Sequence, residues 1–147
     1  FKFSNVEILT RVIELQFPDY KSILKSAQHD KKILLNTKDF LSVLKRTLIF
    51  VRDNKDSKNG GIFSFENNKL ILTGISENAK IKEELATIQE GENLKISLNV
   101  KFLVDYISII GGKVTELKLL NSKSSVVVKD EADDKSVYFT MPLALRE

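Results

Sequence analysis

The segment KILLNTK at positions 32–38 returns as KISLNVK at 95–101, identical at five of seven positions. Each copy opens an apolar-periodic stretch, DFLSVLKRTLIFV after the first and FLVDYISIIGG after the second. In the first, Phe40, Leu41, Leu44, Leu48 and Val51 recur near a 3.6-residue period. This predicts a helix over 37–52 with Asn36 or Thr37 as its N-cap. Leu103, Tyr106, Ile107 and Ile110 repeat the pattern, and Gly111-Gly112 is expected to stop the second helix. FSFENNKLIL and LKLLNSKSSVVV follow, and both read as hairpins, turning at Asn67-Asn68 and Asn121-Ser122. AKIKEELATIQ and KSVYFTMPL each supply one further strand. The repeat therefore predicts two strand–helix–three-strand units, 32–94 and 95–143. The fold class is α+β, with helices packed on antiparallel sheets.

The chain before the repeat is different. FKFSNVEILTRVIELQFPDY alternates loosely up to Pro18, which removes a ladder donor and forces a bend. KSAQHDK then reads as a polar linker. Residues 1–17 are expected to be the tail strands of a preceding domain, 18–31 an interdomain linker, and 32–147 a complete domain. The chain opens on Phe1 and its sole methionine is Met141, so a piece of a longer protein is expected.

With no cysteine and one histidine, His29, disulfide scaffolds, thiolate zinc sites and histidine-pair metal sites are excluded. Hydrophobic residues make up 42%, enough for a core, yet no apolar run approaches a membrane span and no signal peptide is visible. A cytoplasmic protein without a membrane partner is expected. A net charge of +3 permits a polyanionic partner without requiring one. Nothing points to catalysis. The neighbours Glu83 and Glu84 face opposite sides of a strand. Asp130, Glu131, Asp133 and Asp134 read as a solvated turn, and Ser124-Ser125 lacks a strained nucleophile elbow. The glycine pairs at 60–61 and 111–112 form no phosphate loop. A non-enzyme without cofactor or metal is expected.

FPDYKSIL at 17–24, the helix carrying Lys45-Arg46, ISLNVKFL at 96–103 and the ending YFTMPL at 138–143 together resemble the bacterial DNA sliding clamp family, the beta subunit of DNA polymerase III holoenzyme. The resemblance covers nearly all of the chain. It places it at the end of the middle clamp domain plus the whole third domain. It implies a ring of two head-to-tail subunits, each of three similar domains, with helices lining the hole and sheets outside. Such a ring is a non-catalytic processivity factor of the replicative polymerase. It encircles double-stranded DNA without reading sequence, slides on it, and recruits the polymerase alpha subunit, the clamp loader and repair proteins bearing a clamp-binding motif. This chain alone is expected to be a monomer. The other reading is a scaffold or regulatory module that binds partner peptides and no DNA.

Site residues follow from this resemblance and from the helix pattern. On the first helix Lys38, Ser42, Lys45 and Arg52, with Arg46 beside them, share a face opposite the apolar stripe. The second helix offers Lys101, Asp105 and Ser108. Lys38, Lys45, Arg46 and Lys101 are therefore the expected DNA-facing residues, holding phosphates without base contacts. The resemblance implies a pocket for a short partner peptide with hydrophobic anchors. Its walls are Pro18, Ser22 and Ile23 before the repeat, Asn99 and Phe102 at the second helix, and Lys123 and Ser125 in the hairpin. Phe139, Thr140, Met141, Pro142 and Leu143 of the last strand complete it. An adaptable methionine suits apolar anchors, and Pro142 interrupts a ladder. Ser22 stands where the family commonly has a basic residue, Phe102 where a tyrosine is frequent, and Arg146-Glu147 extend past the usual ending. Ile49 and Phe50 depart from the core stripe and are the expected subunit contact.

Overall fold

The computed structural model describes residues 1–26, 28–53, 58–133 and 135–144. Asp134, Leu145, Arg146 and Glu147, singled out above, lie outside these residues. The chain begins with a short antiparallel hairpin, β1 (Lys2–Phe3) and β2 (Val6–Glu7), then helix α1 (Tyr20–Ser26). The first unit follows as β3 (Lys31–Asn36), α2 (Thr37–Val51), β4 (Gly60–Glu66), β5 (Lys69–Ile75), β6 (Lys80–Ala86) and β7 (Ile88–Glu90). The second is β8 (Leu94–Asn99), α3 (Val100–Ile107), β9 (Val114–Leu119), β10 (Val126–Asp130) and β11 (Val137–Thr140).

Two antiparallel sheets result, a five-stranded one in the order β11-β10-β9-β3-β7 and a four-stranded one in the order β6-β5-β4-β8. Each unit's three-strand meander recruits the first strand of the other unit. The exchange is symmetric in register: Asn36 faces Val114, and Asn99 faces Gly60. Each asparagine also caps the helix that follows it. Asp39 N donates to the Asn36 side chain at 3.1 Å and Phe102 N to the Asn99 side chain at 3.2 Å, satisfying donors that a helix start leaves open. Even the entry bonds match. Thr37 N donates to Lys113 O at 2.9 Å, and Val100 N to Asn59 O at 2.8 Å.

Strand alternation turns Ile33 and Leu35, and likewise Ile96 and Leu98, toward a single core shared with the two packed helices. Phe40 and Leu103, at the same position in each repeat unit's helix, are both fully buried there. The first hairpin turns on Asn67 and Asn68, both at positive φ (53° and 59°), the conformation a two-residue turn matched to strand twist requires.

Several expectations need correction. The segment 18–31, expected as an interdomain linker, carries the helix α1, whose start is capped by Asp19: Ser22 N donates to its carboxylate at 3.2 Å. Lys31 already belongs to β3. On α2, Val43 and Thr47 are buried alongside Phe40, Leu44 and Val51, while Leu48 is only partly covered. Helix α3 ends at Ile107, short of the glycine pair. The Ser108 hydroxyl and amide both donate to Val104 O, and Ile109 N turns back to Tyr106 O. AKIKEELATIQ is not one strand. It leaves the four-stranded sheet after Ala86 and joins the five-stranded sheet as β7. The second hairpin is a loop over 120–125, in which the Asn121 side chain accepts from Lys123 N and Ser124 N.

Candidate functional site

The sheet switch at Thr87 explains the apolar end of the chain. Leu34 and Ser97 occupy the same place in KILLNTK and KISLNVK. Leu34 pairs with Ile88, and Ser97 makes an isolated bridge with Leu143, whose amide donates to Ser97 O at 2.8 Å. Leu143 is thus the counterpart of Ile88, Pro142 of Thr87 and Met141 of Ala86. Residues 141–143 are the second copy of a strap that crosses from one sheet to the other.

The two straps are held differently. In the first unit Thr87 N donates to Asn68 O and Gln89 N to the Asn68 side chain, both at 2.9 Å, which ties the strap to the hairpin tip. In the second unit Pro142 has no N–H to give. The hairpin is also longer: Phe63 pairs with Leu72, nine positions on, but Leu117 with Val128, eleven positions on. The tip and strap stay apart, and a cavity of about 500 Å³ opens between Ser122, Lys123, Pro142, Leu143 and Ala144. Pro142 and Leu143 are half-buried, whereas Met141 beside them is 63% exposed.

Of the residues expected in one pocket, Lys123, Pro142 and Leu143 line this cavity together. Phe139 and Thr140 lead into it along β11, Thr140 turned inward and buried. Ser125 ends the hairpin loop, half-buried. Asn99 is engaged as the α3 cap, with Phe102 one turn on and 51% exposed. Pro18, Ser22 and Ile23 sit at the exposed start of α1 and do not line the cavity. Ser122 and Ala144 were missed; the asymmetry between the two hairpins is the signal that finds them.

A profile of the family described as DNA polymerase III beta subunit, C-terminal domain, matches residues 21–144. The chain belongs to this family. The beta sliding clamp of Pseudomonas aeruginosa is 28% identical over 137 residues, covering 92% of this chain and 36% of the relative. That of Streptomyces coelicolor is 29% identical over 143 residues, covering 92% and 37%. A crystal structure of the DNA polymerase III beta subunit from Thermotoga maritima superposes with a TM-score of 0.83 at 26% identity, over 92% of this chain and 36% of that one. The Pseudomonas aeruginosa sliding clamp structure gives the same TM-score of 0.83 at 28% identity, over 90% and 36%. The chain thus spans little more than a third of the length of these relatives.

In this clamp domain the basic side chains of the helices are unequal. Arg46 donates to both carboxylate oxygens of Glu83 on β6, at 2.7 and 2.9 Å, and to Ser42 Oγ at 2.8 Å. That bidentate bond holds the Glu83 carboxyl below its ordinary range and raises the Arg46 guanidinium above its own. The stabilisation this pair gives is therefore present above the ordinary carboxylate range and fades as pH falls through the lowered value. Lys101 pairs with Asp105 one turn along α3. Lys38 and Lys45 are exposed.

Ile49 is 73% exposed and Phe50 half-buried. With Asp53, Ser76, Glu77 and Asn78 they line a second cavity, of about 380 Å³, beside the β5–β6 turn. Among the described residues no helix is long and apolar enough to cross a membrane.

Proposed function

We propose that this domain is the carboxyl-terminal third of a sliding clamp subunit that encircles duplex DNA and recruits replication and repair proteins through the cavity at Pro142 and Leu143. Full-length subunits close head to tail into a two-membered, non-catalytic ring. Lys38 and Lys45 face the phosphates, and Arg46 and Lys101 lie on the same side with their charge offset by Glu83 and Asp105. The observation that carries the recruitment half is the opened strap: the same backbone that is zipped to its hairpin in the first unit is left with a half-apolar cavity in the second. Such cavities take apolar anchors, and Met141 at the rim adapts to them.

Calorimetry tests this with a peptide containing a glutamine and a terminal Leu-Phe pair. Met141→Ala and Leu143→Ala are each expected to weaken binding roughly five- to thirtyfold, the effect of truncating a central anchor contact by about 1–2 kcal/mol. Circular dichroism controls for folding, because Leu143 also bridges to β8. Equal affinity in folded variants would mean that these side chains only pack their own domain.

The scaffold reading, peptide binding without DNA, has one observation in its favour: Arg46 and Lys101 are already paired with carboxylates. Retention on DNA separates the two readings.

A further inference from the structure

On the five-stranded sheet, Ile33, Leu35, Leu117, Leu119, Val126 and Val128 point into the core. Strand alternation puts Lys32, Glu116, Lys118 and Lys129 on the opposite face, away from the helices. Three ammonium groups converge there on one carboxylate. Lys118 lies 3.3 Å, Lys32 3.6 Å and Lys129 3.7 Å from Glu116, whose side chain is only 5% exposed. A buried carboxylate needs a cationic partner, but one suffices for neutrality. Glu90, paired with Lys32 across β7, is the other acid in this row, and Asp30 is taken by Lys31. The face keeps an excess of positive charge. Its field reaches His29, which lines the adjoining cavity of about 400 Å³ with Lys32, Lys118 and Glu90. Burial, and then Lys118, hold the His29 imidazole below its ordinary value.

The cluster is continuous with the cavity at the chain end. Lys118 faces Val127, and Val127 faces Phe139, two residues before Met141. Two strand spacings amount to about 10 Å, the reach of three or four extended residues. We propose that this lysine cluster receives acidic residues flanking the apolar anchors of the same partner segment. The proposal rests on the recruitment reading above and adds to it a charge requirement on the partner. A peptide fits better than DNA because the cluster lies on the sheet face opposite the helices and runs toward the peptide cavity.

The test uses the whole chain and three peptides: the plain anchor peptide, and versions carrying three neutral spacer residues and four glutamates at one end or the other. At low salt one acidic version is expected to bind roughly five- to tenfold tighter than the plain peptide, and salt should erase the gain. Lys32→Gln with Lys118→Gln should abolish the difference and leave the plain peptide's affinity unchanged. Because that variant leaves Glu116 less compensated, Glu116→Gln serves as a second variant of opposite sign, with a larger gain expected. Thermal melts verify folding of both. Equal binding of all three peptides, or a gain that survives the double lysine variant, overturns the proposal and leaves the cavity reading intact. Loss of duplex DNA affinity in the double variant with no acidic gain also overturns it, assigning the cluster to DNA. Failure of all three peptides to bind removes the recruitment reading itself.

Discussion

Phe40→Ala is expected to lower one cooperative melting transition of the whole domain by roughly 10–20 °C. Phe40 is fully buried, and truncating such a side chain costs about 3–5 kcal/mol against a total stability of about 5–15 kcal/mol. The informative part is where the loss is felt. Phe40 belongs to the first unit, whereas the stacked rings of Tyr106 and Tyr138, with centroids 4.8 Å apart, belong to the second. Because β3 is inside the second unit's sheet and β8 inside the first's, neither unit keeps a complete sheet without the other. Near-ultraviolet dichroism of the tyrosines and far-ultraviolet dichroism should therefore fall together at the lowered temperature. A tyrosine signal that kept the wild-type midpoint would show two units folding separately.

That exchange of strands was not legible in the repeat. KILLNTK and KISLNVK announce two equivalent strand–helix starts, down to the capping asparagines at 36 and 99. Periodicity reports which face of a strand is buried; it does not report the pairing partner. The end of α3 was misplaced for a related reason. Ile110 packs against the core from outside the helix and so extends the apolar period past Ile107. The seven residues of α1 are too few for a period to register. The ion pair of Arg46 with Glu83 joins residues 37 apart and has no local signature. At the site, Pro142, Leu143 and Lys123 were found through the resemblance. The reason they bound a cavity emerges when the two straps are laid over each other: a missing N–H and a longer hairpin.

Ile49→Ala combined with Phe50→Ala in the full-length clamp is expected to convert dimer to monomer at concentrations where the parent remains a ring. Ile49, at the end of α2, is exposed beside an open cavity, and the proposed ring sets a neighbouring subunit against it. Central apolar contacts of this kind are worth about 1–2 kcal/mol each. A two-subunit ring has two identical interfaces, so the loss counts twice and dissociation should strengthen by at least about a hundredfold. Sedimentation of the variant at micromolar and nanomolar concentrations reads this out. Unchanged dimerisation would return both side chains to packing under the β5–β6 turn of their own domain.

The most direct test is topological. Full-length clamp loaded onto a nicked circular duplex is passed through a sizing column before and after a single restriction cut. Co-elution with the circle and release once the DNA is linear is the predicted result, since a ring held by encirclement slides off an end. No association with the circle, or retention after the cut, would contradict a sliding clamp and leave a peptide-binding module that either ignores DNA or grips it directly.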